Sequence, residues 1–570
     1  MNRSRCTRCC ATIVFFALVA AAMTGATAMT GATAMSGATA ATGAPASPVA
    51  SVDDYPRDWD VDIVHYAFRL ALSDATDRID GEADITVRFA ADGVREVGLD
   101  LVGETAGAGM SVGSVSRDGA AVSYTHAGDR LIITLASPSL AQERRTYRVA
   151  YGGVPRDGLI IGENMFGDRT FFGDNWPDRA RHWLPSVDHV SDKATVEWVV
   201  TAPNHYQVIG NGELREHTDL PNGMRRTHWS STVPIPTKVM VIGVARFAVE
   251  QVATVDGVPV QSWVYPQNRD AGFYDYAVAE RMLRFFSGHI GPFPYAKLAN
   301  VQSKTRYGGM ENASNIFYSE RSVSGARRSE GTVAHEIAHQ WFGDSVTERD
   351  WHHIWLSEGF ATYFTQLYNE FTYGRDRMAA GMRGNRQTVI DFYARAPELA
   401  VVAPSISDLN ELLNRNSYQK GGWVLHMLRR QIGDEAFWAG IRAYYREHRD
   451  GNALTADLQR VMEEASGEDL GWFFEQWVFT PGHPLLEGSW SHDPAGGELT
   501  VTIRQAQPTG TVFRFPLDIG ITTATGETVV ETIEIDDREE TVRLPIEAAP
   551  AALSLDPDTW LLFEGGLTRR

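Results

Sequence analysis

Beyond residue 10 the chain has no cysteine: Cys6, Cys9 and Cys10 are the only three. Once a leader containing them is removed, no disulfide can form, so stability in an oxidising compartment has to come from packing and from any bound metal. Basic charge is scarce too. Lys and Arg number 52 against 72 Asp and Glu, a net charge of −20, which argues against nonspecific nucleic-acid binding, whose footprint is a basic stripe. Long hydrophobic runs are also missing. The apolar stretch Ala11–Ala22 (ATIVFFALVAAA) has 12 residues, short of the roughly 20 that cross a bilayer. With Arg3, Arg5 and Arg8 ahead of it, it reads as a cleaved signal peptide over residues 1–24; a lipoprotein would carry its cysteine after the apolar run. Removing it takes away three Arg and no acid, which leaves a net charge of −23. The expectation is an exported protein, periplasmic or secreted, with no stable membrane span.

What is present indicates folded domains. The 570 residues, 43% hydrophobic and with 15 Trp, suit three to five domains and at least one large core. An imperfect TGATAM repeat and two prolines make residues 25–51 a low-complexity spacer. From 52 to 266 the apolar residues alternate (Tyr66, Phe68, Leu70, Leu72; Ile85, Val87, Phe89), which predicts an antiparallel β domain. From 267 to 485 the spacing becomes helical, with Met282, Phe285 and Phe286, then Ser329 to Phe342, Trp355 to Asn369, Gly421 to Ile432 and Ala456 to Ala465. Alternation returns over 486–570 and predicts a small C-terminal β-sandwich. The class is multidomain α+β.

The helical segment contains His335-Glu336-Ile337-Ala338-His339. In a chain with 16 His and 72 acids, such a pattern arises by chance roughly 0.06 times. On a helix, residues i and i+4 share a face, so both imidazoles can ligate one Zn²⁺ while Glu336 stands beside a water on the metal. Glu358, after 18 intervening residues, supplies a third ligand from a second helix. Glu336 is then the carboxylate placed to accept the proton of the attacking water.

These residues resemble the zinc aminopeptidases related to aminopeptidase N, within the gluzincin metallopeptidases. Gly308-Gly309-Met310-Glu311-Asn312 is similar to that family's G-x-M-E-N motif, whose Glu binds the substrate's free α-amine. Tyr418-Gln419-Lys420-Gly421 is similar to its Y-x-K-G motif, whose Tyr stabilises the tetrahedral intermediate. Weaker matches are Gly291 to Tyr295, Glu320, Asp192 to Ala194 and Gly482 to Pro484. The resemblance covers roughly residues 55 to 485. It implies a thermolysin-like, mainly helical catalytic domain, one catalytic Zn²⁺ on His335, His339 and Glu358, catalysis by Glu336 and Tyr418, and peptides with a free N-terminus as substrates. Gly308 to Asn312 would line the substrate site. The Asn312-Ala313-Ser314 sequon would put a glycan in the cleft and is read as a false positive.

Three positions depart from the family pattern. Trp176 stands where a Gln or Glu commonly helps hold the amine, with Asp174 or Asn175 as alternative anchors. Ser357 replaces a usual Asn, and Thr365 a frequent carboxylate near the metal. The leading expectation is an exported zinc aminopeptidase. The alternatives are a zinc endopeptidase and an inactive peptide-binding protein on the same scaffold.

Overall fold

Strand Val61–Ala71 buries Ile63, Tyr66, Phe68 and Leu70. A bulge between Ile63 and His65 shifts its phase, so Tyr66 and not His65 faces inward. The strand lies near the centre of an eight-stranded sheet, antiparallel to Ile79–Phe89 and parallel to Lys193–Pro203. Beneath it Trp198 stacks on Phe68 and on Trp183, with ring centroids 5.0 and 5.7 Å apart. This computed structural model describes residues 53–546 and 548–570; the leader and spacer read over residues 1–51 lie outside them.

A five-stranded mixed sheet follows, in the order Ala248–Val255, Val258–Val264, Leu298–Ser303, Asn315–Ser319, Gly309–Met310. The boundary expected at residue 266 cuts through it. Val258–Val264 pairs in parallel with Leu298–Ser303, and the helices Arg269–Tyr276 and Ala279–His289 make the crossover between them. Val255, Val260 and Val264 accordingly pack with the catalytic helices. Alternation marks a strand but does not say which sheet the strand joins.

The helices Glu330–His339, Trp355–Tyr373 and Thr455–Ser466 occupy the predicted stretches. The segment expected to end at Ile432 runs to His448, but Gly433 breaks it with φ of 80°, a conformation that favours glycine. Helix Arg375–Tyr393 was not anticipated: it buries only Met378, Ala379, Met382, Val389 and Tyr393 among many polar residues, a stripe too thin to stand out in the sequence.

The C-terminal region forms a four-stranded and a three-stranded sheet, and its core is continuous with that of the catalytic helices. The loop at Asp556–Trp560 fastens the two together. Arg386 bonds Asp556 Oδ2 at 2.5 Å, His426 bonds the Thr559 carbonyl at 2.8 Å, and Trp560 stacks on His426 at 4.7 Å. The architecture is thus an N-terminal β-rich domain, a helical catalytic domain and a C-terminal β-rich region. Among the described residues no helix is long and apolar enough to cross a membrane.

Candidate active site

Three donor atoms meet where two helices pack. His335 Nε2 and His339 Nε2, one turn apart on Glu330–His339, are separated by 3.1 Å, and each lies 3.3 Å from Oε2 of Glu358 on Trp355–Tyr373. A tetrahedral zinc with bonds of about 2.0–2.1 Å requires donors about 3.3 Å apart, so the three edges fit that ion. The outer contacts fit as well. Nδ1 of His339 lies 3.1 Å from the Phe342 carbonyl and 3.0 Å from Ser357 Oγ. A proton on Nδ1 satisfies both and leaves the Nε2 lone pair for the metal. Ser357 is therefore part of the support of the ligand set. Thr365 is not: its hydroxyl bonds back to the Ala361 carbonyl of its own helix at 2.8 Å.

The electrostatics favour positive charge at this point. Burial opposes protonation of His339, but the carboxylates of Glu358, Glu311 and Glu336 outweigh it and raise its pKa to about 10. Glu358, although buried, is held far below the usual carboxylate range by His339 and His335. A bound dication would take the place of that proton.

Glu336 is buried beside the donors, and burial pushes its carboxyl well above the ordinary value. The strand Gly309–Met310 lies directly on it: a Cβ on Gly309 would come within 2.3 Å of Glu336 Oε1. The missing Cβ of the second glycine in the Gly308-Gly309 pair lets the strand lie this close to Glu336 in its observed position. The strand is held at the sheet edge, Gly309 opposite Tyr318 and Met310 opposite Phe317. Gln340 ties it to the metal helix, its amide donating to the Glu311 carbonyl at 2.7 Å and its Oε1 accepting from Ser314 N at 2.8 Å. Sequence reasoning missed Gln340; the available signal was a polar side chain directly before the apolar pair Trp341 and Phe342.

Glu311 is 5% exposed and its Oε1 has no hydrogen-bond partner. Ligand atoms of Glu311, Glu336 and His339 lie within 4.8 Å of one another. Gly308, Gly309, Met310 and Glu311 line a cavity of about 430 Å³ together with the metal donors, Glu336 and Tyr418. Asn312 does not reach it. It is fully buried behind the wall, which also removes the sequon from solvent.

Tyr418 sits in a π-helical turn, Asn416–Lys420, leading into Gly421–His448, and its ring stacks on His335 with centroids 5.9 Å apart at 13°. Two glycines let this turn approach Glu358: a Cβ on Gly359 would come within 2.9 Å of Gly421, and the reverse within 3.0 Å. Lys420 anchors the turn, bonding the Tyr393 hydroxyl at 2.9 Å. Burial, with Glu358, Glu311 and Glu336 nearby, keeps the Tyr418 phenol well above its ordinary pKa. It stays protonated and able to donate. A donor of this kind to a developing oxyanion is typically worth about 10²–10³ in kcat, so Tyr418→Phe is expected to lower kcat by that factor with KM and zinc content little changed. A variant that mainly raises KM would make Tyr418 a pocket wall.

Neither alternative amine anchor reaches the cavity. Asp174 bonds Arg179 at 2.7 Å and the Arg306 amide at 2.9 Å. Asn175 bonds the Thr237 and Met240 carbonyls at 3.0 and 2.7 Å and accepts from Trp183 at 2.8 Å. Trp176, between Asn175 and Pro177, lines the cavity instead.

Two imidazoles one helical turn apart, completed by a glutamate from the following helix, place the fold in the class of zinc metallopeptidases. The family is equally plain. The chain belongs to peptidase family M1: its residues 63–239 match the peptidase M1 N-terminal domain and 274–477 the peptidase family M1 domain. It is 26% identical to Aminopeptidase 2 of Candida albicans over 65% of this chain and 42% of that one. To Aminopeptidase M1 of Arabidopsis thaliana it is 25% identical over 69% and 49%. A variant of the M1 zinc metallopeptidase of Deinococcus radiodurans superposes with TM-score 0.64 at 25% identity, over 74% of this chain and 94% of that one. Aminopeptidase A of Legionella pneumophila shares the fold with TM-score 0.76 at 19% identity, over 90% and 60%. The chain spans less than half the length of these two curated relatives.

Proposed function

We propose that this protein is an exported zinc aminopeptidase that removes the N-terminal residue of peptides, with one catalytic zinc held by His335, His339 and Glu358. The observation that carries this reading is the carboxylate of Glu311 in the same cavity as the metal donors, buried and with one oxygen unpartnered. A buried carboxylate is costly without a cationic partner, and a peptide's α-ammonium is that partner. When bound, zinc supplies a Lewis acid that acidifies a water and polarises the scissile carbonyl. Glu311 fixes the amine and so places the first peptide bond over the donors. Glu336 takes the proton of the attacking water and returns it to the leaving amine. Tyr418 donates to the carbonyl oxygen as negative charge develops on it. Export is inferred from the Arg-flanked apolar run in residues 1–24 and is tested by comparing the mature N-terminus with the encoded one.

The test of the exopeptidase reading is Glu311→Ala. With its anchor gone the substrate is held weakly and misaligned, so KM should rise and kcat/KM for free-amine substrates should fall about 10²-fold or more. The unmutated enzyme should leave N-acetylated peptides uncut. Equal cleavage of acetylated and free peptides would replace this reading with an endopeptidase.

A further inference from the structure

Beside Glu311 the cavity wall is aromatic. Trp176 and Tyr307 both line it, packed edge to face with centroids 6.0 Å apart at 86°. Trp176 is 2% exposed and is held from another side by Trp351, at 5.8 Å and 83°. Trp351 is in turn fixed under Lys238, whose ammonium lies 5.6 Å from its ring and bonds buried Glu348 at 2.6 Å. Trp176 is thus braced by packed rings on two sides.

Apart from the two histidines and the metal they would hold, the charged side chains lining the cavity are acidic. Glu311, Glu336 and Glu358 contribute carboxylates, and no lysine or arginine is among the lining residues. The guanidinium of Arg179, 5.9 Å from the Tyr307 ring, is engaged by Asp174.

We infer that Trp176 is the specificity-determining wall of the pocket for the substrate's first side chain, and that it selects large apolar N-terminal residues, aromatic or long aliphatic, against acidic ones. This rests on the aminopeptidase reading above. With the amine on Glu311 and the scissile carbonyl over the metal donors, the first Cα is pinned between two fixed points. Met310 and Tyr307, just ahead of Glu311 in the chain, line the cavity with it, and Trp176 packs on Tyr307, so a side chain leaving that Cα on this side meets thioether and ring surface. Apolar surface there is removed from water to the substrate's advantage. A second carboxylate on this side would stand beside Glu311 and Glu336, with no lysine or arginine among the lining residues to offset its desolvation.

The test is kcat/KM on a panel of aminoacyl amides (Phe, Leu, Ala, Glu) with the zinc-loaded full chain, its Trp176→Ala, Trp176→Phe and Trp176→Arg variants, and zinc content of each. For the unmutated enzyme Phe and Leu should exceed Ala by about 10-fold or more, and Glu by about 100-fold or more. Trp176→Phe should keep this order. Trp176→Ala should reduce the Phe-to-Ala ratio about 10-fold, and Trp176→Arg should raise the Glu-to-Phe ratio by at least as much. The ratios read selectivity and are insensitive to a loss of active protein. If the unmutated enzyme cleaves Glu as well as Phe, or Trp176→Ala leaves the Phe-to-Ala ratio unchanged, the inference is wrong while the aminopeptidase reading stands. If no free-amine substrate is cleaved, both fall; the unmutated panel decides this even where a variant does not fold.

Discussion

Glu336→Gln is expected to lower kcat by about 10²–10⁴ with zinc still bound. The substitution keeps the size of the side chain, so Gly309, whose missing Cβ leaves room for the Glu336 carboxylate, should still close over it. What is lost is the capacity to take a proton. Burial raises the Glu336 carboxyl well above the ordinary value, which suits a group that holds a proton between the attacking water and the leaving amine. None of the three metal donors is touched, so zinc content should stay near one equivalent. Steady-state kinetics with metal analysis on the same sample decides the matter. Turnover near that of the unmutated enzyme would show that another group moves the proton.

The second large effect is His339→Ala. His339 provides one of three donors, and its ring is held in the ligating orientation by the contacts of Nδ1 with the Phe342 carbonyl and Ser357. Loss of an outer partner alone typically costs about 10–100-fold in affinity or activity. Loss of the ligand itself should cost more than 100-fold in zinc affinity and bring peptide cleavage to background. Chelation of the unmutated protein should reproduce the inactivity, and Zn²⁺ should restore it. Ser357→Ala should fall within the 10–100-fold range, separating support from ligation. A His339→Ala protein that keeps both full zinc occupancy and activity would remove the proposed site.

The donor set was legible in the sequence because its geometry is local. A four-residue spacing on a helix puts His335 and His339 on one face whatever the rest of the chain does, and Glu358 lies on the next helix, a short connection away. The β-rich halves were legible for the same reason: alternation over Tyr66, Phe68 and Leu70 records which side of a strand is buried. The resemblance of Gly308 to Asn312 and of Tyr418 to Gly421 to family motifs pointed at the right walls but did not distinguish their members. Glu311 and Gly309 line the cavity, whereas Asn312 lies behind it.

What the sequence determined by itself, then, is the chemistry carried by short spacings: two imidazoles and a glutamate spaced as a zinc site requires, and the strand or helix on which each residue sits. Tertiary structure decided everything that depends on residues far apart in the chain. It gave the last two strands before residue 266 to the sheet whose edge strand leads into Glu311, committed Asp174 and Asn175 to Arg179 and to backbone carbonyls, set Ser357 against His339, and placed Trp176 in the cavity wall 131 residues ahead of its partner Tyr307. The physical reason is that periodicity along a chain records which face of an element is buried, whereas the identity of the group meeting that face depends on the packing of the whole chain.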